Sequence, residues 1–169
     1  MNKEDIAYRP AMPADLDEVL SLNESHLPHV GSVTRKILGS FLNQAASFEV
    51  ALADRSIAGF CVAFDPNAKY TSPNFLWFCD RYPNFLYIDR IVVAPWARRR
   101  GIATGFYSRL EGFAANRSIP ILTCEYNLNP PNENSRIFHS RYGFVEAGRQ
   151  DTENGMKTVS LQFLEVSPP

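Results

Sequence analysis

Apolar and polar positions alternate along this chain in segments that change period several times. Ala7 to Arg9 has the composition of a short first strand, and Pro10 and Pro13 end it. From Ala14 to Asn23 the apolar residues Leu16, Val19, Leu20 and Leu22 recur at helical spacing. Pro28 and Gly31 interrupt, and a second helix is predicted over 33–46, with Ile37, Leu38, Phe41 and Leu42 on one side. Two strand-like runs, 48–53 and 57–64, are joined by the short connection Asp54-Arg55-Ser56. The stretch 65–83 is rich in aromatic residues and without clear period, and is predicted irregular. A nearly continuous apolar run over 85–94 predicts a buried strand. A helix over 101–116, a strand over 118–126 and a helix over 130–141 follow. Two closing strands, 143–148 and 157–164, flank a turn at Glu153-Asn154-Gly155. The order β-α-α-β-β-β-α-β-α-β-β is an α/β pattern.

The chain has 169 residues, a length suited to one domain over 1–169 with a single core, and 45% of them are hydrophobic, enough to fold alone. Seventeen basic and eighteen acidic residues leave a net charge of -1. That balance argues against a nucleic-acid or membrane partner. Cys61, Cys79 and Cys124 are odd in number and widely spaced, which favours free thiols in a reducing cytoplasm. Met1 to Asp5 lacks an apolar signal core, and no run approaches transmembrane length.

The most informative stretch joins the 85–94 strand to the following helix. Arg98, Arg99 and Arg100 stand directly before Gly101, and Ile102, Ala103 and Thr104 open the helix. The first turn of a helix presents unpaired N–H groups and a partial positive charge. Small residues at Gly101 and Ala103 let a ligand approach that backbone, and the arginines add mobile charge, so the loop suits a pyrophosphate. A solvated arginine cluster capping a turn is the plainer alternative. The spacing Arg98-x-x-Gly101-x-Ala103 resembles the acyl-CoA-binding loop of the GNAT superfamily of N-acyltransferases. A second pattern, Asn132-x-x-Ser135-x-x-Phe138-His139-x-x-x-Gly143-Phe144, is similar to the family's N-x-x-A-x-x-[LF]-Y-x-x-x-G-F. The resemblance spans Tyr8 to Leu164.

The resemblance implies a central mixed, mostly antiparallel sheet flanked by about four helices, with strands four and five splayed apart to admit the pantetheine arm of acetyl-CoA. It implies direct attack of a primary amine, on a small molecule or peptide, on the thioester in a ternary complex. The backbone of Ile91, Val92 and Val93 would polarise the carbonyl, and Asn132, Ser135 and Phe138 would meet the pantetheine. The family commonly carries Tyr where this chain has His139, and that Tyr protonates the departing thiolate. His139 is expected to take its place, since an imidazolium is a competent acid. A packed histidine, or Tyr142 as donor, is the alternative.

Asp89 matches the position of the family's base on strand four, with a structural ion pair to Arg90 or Arg81 as the other possibility. Glu125 is the second candidate. Strand alternation predicts Tyr87, Asp89 and Ile91 on one face, and Ile88, Arg90 and Val92 on the other. Tyr70, Trp77, Phe78, Tyr82 and Tyr87 are expected to wall the acceptor site. Glu24, His26 and His29 have poor metal-ligand spacing, and no metal is expected. Cys124 on a buried strand is expected to be inert. A homodimer is compatible with the family. The rival reading is a non-catalytic domain that binds acyl-CoA as a sensor or assembles with a partner.

Overall fold

In the computed structural model, which describes residues 6–169, seven strands form one mixed sheet. These are β1 (Ala7–Pro10), β2 (Ser47–Ala53), β3 (Ser56–Phe64), β4 (Leu86–Val93), β5 (Ile121–Asn129), β6 (Val145–Thr152) and β7 (Lys157–Glu165), in the spatial order β1-β2-β3-β4-β5-β7-β6. Five helices cover it: α1 (Leu16–Glu24), α2 (Arg35–Gln44), α3 (Pro73–Cys79), α4 (Ile102–Asn116) and α5 (Glu133–Tyr142). The signal-core expectation for Met1 to Asp5 lies outside the described residues. Among those described, no helix is long and apolar enough to cross a membrane.

Each face of the sheet carries its own apolar layer. On one face Leu16, Val19, Leu38 and Phe41 of α1 and α2, with Phe75 and Phe78 of α3, pack on Val50, Phe60 and Val62. On the other, Ile102, Phe106, Tyr107 and Leu110 of α4 pack on Ala58, Ile88 and Leu122. α3 is a helix that the sequence left irregular. Its apolar spacing was hidden because almost every residue of Phe75 to Cys79 is apolar. Pro73 at its start and the spacing Phe75–Phe78, both buried, are the signals that remained.

All neighbouring strands are antiparallel except β4 and β5, which run parallel and pair only at Leu86↔Leu122 and Tyr87↔Thr123. Beyond that point they part, as the resemblance implied. β4 also carries an irregularity. Val62 of β3 pairs with Arg90, but its neighbour Ala63 pairs with Ile88, so Asp89 is an extra residue, a β-bulge. The bulge inverts the alternation. Tyr87 and Val92 belong to the α1–α3 face, whereas Ile88, Ile91 and Val93 pack toward α4. The expected grouping of Tyr87 with Ile91, and of Ile88 with Val92, is therefore corrected: a bulge shifts every later side chain to the other face.

Candidate active site

The gap between β4 and β5 opens into a cavity of about 960 Å³. At one end stands the turn before α4. Gly101 adopts φ +79 as the residue preceding the helix, a left-handed conformation that favours glycine, and no heavy atom lies within 4 Å of where its Cβ would be. The N-terminus of this 15-residue helix thus faces open space. Arg98, Arg99, Gly101, Ile102, Ala103 and Thr104 all line the cavity; Arg100 does not. Ile91, Val92 and Val93 line it from β4. From α5 come Asn132, Ser135, Phe138 and His139. Asn132 caps α5 by accepting from the Ser135 N–H at 3.2 Å. Open backbone at a helix start, beside two exposed arginines, has the shape and charge that a pyrophosphate requires.

Glu125 projects from β5 into the cavity after the strands have parted. The residue keeps intermediate exposure, but its carboxylate is enclosed. Oε1 accepts from the Tyr87 hydroxyl at 2.9 Å. Oε2 has no partner within hydrogen-bonding geometry, although the Asn74 side chain comes near enough to favour the charged form slightly. Burial, and then the negative charge of Asp89, push the Glu125 carboxyl up to about 8. A carboxyl titrating near neutrality is suited to accept a proton.

Asp89 is engaged differently. Its Oδ1 accepts from the Tyr70 hydroxyl at 2.6 Å and its Oδ2 from Arg90 Nε at 2.7 Å. Arg90 is buried and also reaches Asn23 at 2.9 Å and the Gly31 carbonyl at 3.1 Å. Both Asp89 oxygens are thus occupied, and the ion pair with Arg90 fastens the bulge of β4 to the loop between α1 and α2. This is the alternative weighed for Asp89 from the sequence.

His139 is 3% exposed. Its Nδ1 lies 2.7 Å from the Ser135 carbonyl oxygen, which only accepts, so Nδ1 carries the proton. Nε2 is then the acceptor for the Tyr107 hydroxyl at 2.8 Å. Burial lowers the imidazole to about 4, against a smaller opposing effect of the Ser135 hydrogen bond. The expectation of an imidazolium acid is corrected: near neutral pH the ring is uncharged. Tyr142, the alternative donor, bonds Glu111 and lines a separate pocket between α4 and α5.

The aromatic wall divides. Tyr70 lines the cavity, together with Ser72, Pro73 and Asn74 at the start of α3. Phe78 is fully buried under the sheet, and Tyr82 packs against the same core. Trp77 turns toward β6, where a Cβ on Gly148 would stand 2.6 Å from its ring. Tyr87 is fully buried and acts through its hydroxyl on Glu125. Trp77, Phe78 and Tyr82 therefore pack with the core: α3 turns the first two inward, and Tyr82, beyond its end, folds back on Phe78. Asn74 and Tyr107 also line the cavity and were not among the residues expected there. No motif marks either, and only α3 and the α4–α5 contact bring them to the cavity.

Among the described residues no three His, Cys, Asp or Glu side chains gather as metal ligands would. His26 lies between carbonyls instead, 2.9 Å from that of Leu22 and 3.1 Å from that of Val93. Cys124 is buried, and burial raises its thiol well above the usual range, so it lacks thiolate character.

Comparison with known proteins supports the architecture. The family model described as acetyltransferase (GNAT) family matches residues 16–144. No curated protein sequence matches the chain significantly. Among solved structures, Ard1 from Thermoplasma volcanium superposes with a TM-score of 0.79 at 15% identity, covering 96% of this chain and 98% of that one. NAA60 from Arabidopsis thaliana, in complex with a bisubstrate analogue, gives 0.78 at 16% identity over 98% and 100%. The ribosomal-protein-S18-alanine N-acetyltransferase from Escherichia coli gives 0.71 at 16% identity over 98% and 96%. At such identities the superpositions establish the fold alone.

Proposed function

The chain belongs to the GNAT acetyltransferase family, and on that premise we propose that it moves an acetyl group from acetyl-CoA to a primary amine, by direct attack within a ternary complex. The observation that carries this reading is the single cavity joining the open N-terminus of α4 to the enclosed carboxylate of Glu125. A group held at one end by phosphate contacts would place its acyl end beside a base at the other.

Arg98 and Arg99, with the first N–H groups of α4, would hold the pyrophosphate. The diverging edges of β4 and β5 would flank the pantetheine. The backbone of Ile91 to Val93 would polarise the carbonyl. Acetyl-CoA supplies the activated acyl group. Glu125 is the base that removes the ammonium proton, with Tyr87 fixing its carboxylate and Asn74 beside it. Asp89 shapes the acceptor end through Arg90 and Tyr70. The acceptor is a primary amine on a small molecule or a peptide, entering beside Tyr70 and Ser72. A screen of amines with acetyl-CoA, reading free thiol, tests the proposal. Amine-dependent thiol release supports it; binding of acetyl-CoA with no release for any amine overturns it in favour of a sensor.

A further inference from the structure

The departing thiolate needs a proton, and neither residue that the sequence suggested for this is placed to give one. His139 is neutral, with its only N–H turned to the Ser135 carbonyl. Tyr142 lies outside the cavity, bound to Glu111. A third group occupies the place between them. Tyr107 stands on α4 beyond the basic loop, lines the same cavity as Glu125, and directs its hydroxyl to His139 Nε2 at 2.8 Å.

Resting on the acetyltransfer reading, we propose that Tyr107 is the catalytic acid that protonates the leaving thiol, and that His139 is the residue that positions its phenol.

The geometry supports this on three counts. First, the Tyr107 ring is clamped edge-on by Phe138 at 5.2 Å and Tyr142 at 5.3 Å, so its hydroxyl has a fixed address. Second, Tyr107 and Glu125 line the same cavity, so acid and base border one space; burial first, and then Cys124 of β5, Cys61 of β3, Glu125 of β5 and Tyr142 of α5, raise the phenol well above its usual range and keep it protonated. Third, the His139 imidazole is itself fixed, by the Ser135 carbonyl and by Tyr126 stacked at 6.0 Å. A neutral Nε2 has the lone pair that accepts from the phenol and so orients it; an imidazolium there would have none.

The step balances as follows. Glu125 takes the ammonium proton and passes it to solvent; the neutral amine then forms the C–N bond and gives a second proton to Glu125. The C–S bond breaks with its electron pair on sulfur. The Tyr107 hydroxyl turns from His139 and its proton passes to sulfur. After product departs, the phenolate regains a proton from solvent and Glu125 releases one.

The test compares Tyr107→Phe with Tyr82→Phe, a phenol packed against the core and outside the cavity. Tyr107→Phe is expected to lower kcat by about 10²-fold or more, with the melting shift caused by acetyl-CoA unchanged, while Tyr82→Phe stays within a few fold. Adding His139→Tyr to Tyr107→Phe puts a phenol back from α5 and should recover at least part of the loss. A fluorinated tyrosine at 107, nearly isosteric and more acidic, should bring the alkaline limb of kcat to lower pH. Independently of turnover, ¹⁵N spectra of the free protein should show His139 neutral at pH 7, protonated on Nδ1. Full kcat in Tyr107→Phe, an alkaline limb unmoved by fluorination, or a charged His139 at pH 7 overturns the proposal. Wild-type protein that turns over no amine fails the acetyltransfer reading itself, and this inference falls with it.

Discussion

The Tyr87 hydroxyl and the Glu125 carboxylate meet at 2.9 Å across the point where β4 and β5 separate. Tyr87 is the last residue of β4 paired with β5, and Glu125 lies just past the last paired residue of β5. The parting of the strands encloses the carboxylate, while the tyrosine gives it one donor. Donation to the charged form lowers the pKa; burial raises it more.

Tyr87→Phe should therefore raise the Glu125 pKa further. The acid limb of kcat/KM is expected to move to higher pH than in the wild type. An acceptor amine with a pKa well below that limb keeps the amine's own titration out of the measurement. An unmoved limb would show that another group sets it.

Glu125→Gln should lower kcat by about 10²–10⁴-fold, the usual range for a positioned base, and remove the acid limb near pH 8. Acetyl-CoA binding should survive, since the loop proposed to hold its phosphates is a separate part of the cavity lining. Asp89→Asn also lowers activity, but through the acceptor loop that Arg90 holds. Its acid limb should remain but move to lower pH, since the Asp89 charge helps raise Glu125; persistence of the limb separates the two carboxylates.

Stability should also depend on Glu125. Its pKa is about 8 folded and near 4.5 unfolded, so the native state holds a proton that the unfolded chain releases between those values. Stability then falls as pH rises through this window and levels above it. His139, lowered to about 4 from 6.5, acts oppositely, but only below 6.5. Between pH 6.5 and 8 Glu125 acts without that opposition. Glu125→Gln should be more stable than wild type at pH 8.5, by on the order of 1–4 kcal/mol, and the gain should shrink by pH 6.5. Denaturant melts at the two pH values check this.

Gly101→Ala should cost roughly 1–2 kcal/mol of stability, because a Cβ is strained at φ +79. The new methyl meets no protein atom, so the fold survives. It would stand in the space assigned to the pyrophosphate, and the melting shift produced by saturating acetyl-CoA should be largely lost. A retained shift places the phosphates elsewhere.

Trp77→Ala should behave as a packing variant. Its ring covers Gly148 of β6 and carries the Arg81 guanidinium at 3.8 Å. A loss of roughly 2–3 kcal/mol is expected, with little change in KM for the amine. A selective rise in that KM would return Trp77 to the acceptor wall.

The sequence alone determined the order of the elements apart from α3, the basic turn before α4 and the motif of α5. These are local. Apolar period reports which segments bury a face, and the spacing Arg98–Gly101–Ala103 encodes a helix start that needs no distant partner to form. The parting of β4 and β5 came from family resemblance rather than from periodicity.

Tertiary structure decided the rest. The bulge at Asp89 is invisible in a one-dimensional pattern, because alternation identifies faces only while the ladder is regular; one extra residue sent Arg90 to the side predicted for Ile91. α3 turned Trp77 and Phe78 toward the core, and Tyr82 packs just beyond its end. Protonation was settled last. Whether Glu125 accepts a proton near neutrality, and whether His139 can lose one, depends on burial and on partners far along the chain: Tyr87 is 38 residues from Glu125 and Tyr107 is 32 from His139. The free energy of a charge is fixed by the solvent it has lost and the groups it has met, and only the folded chain specifies those.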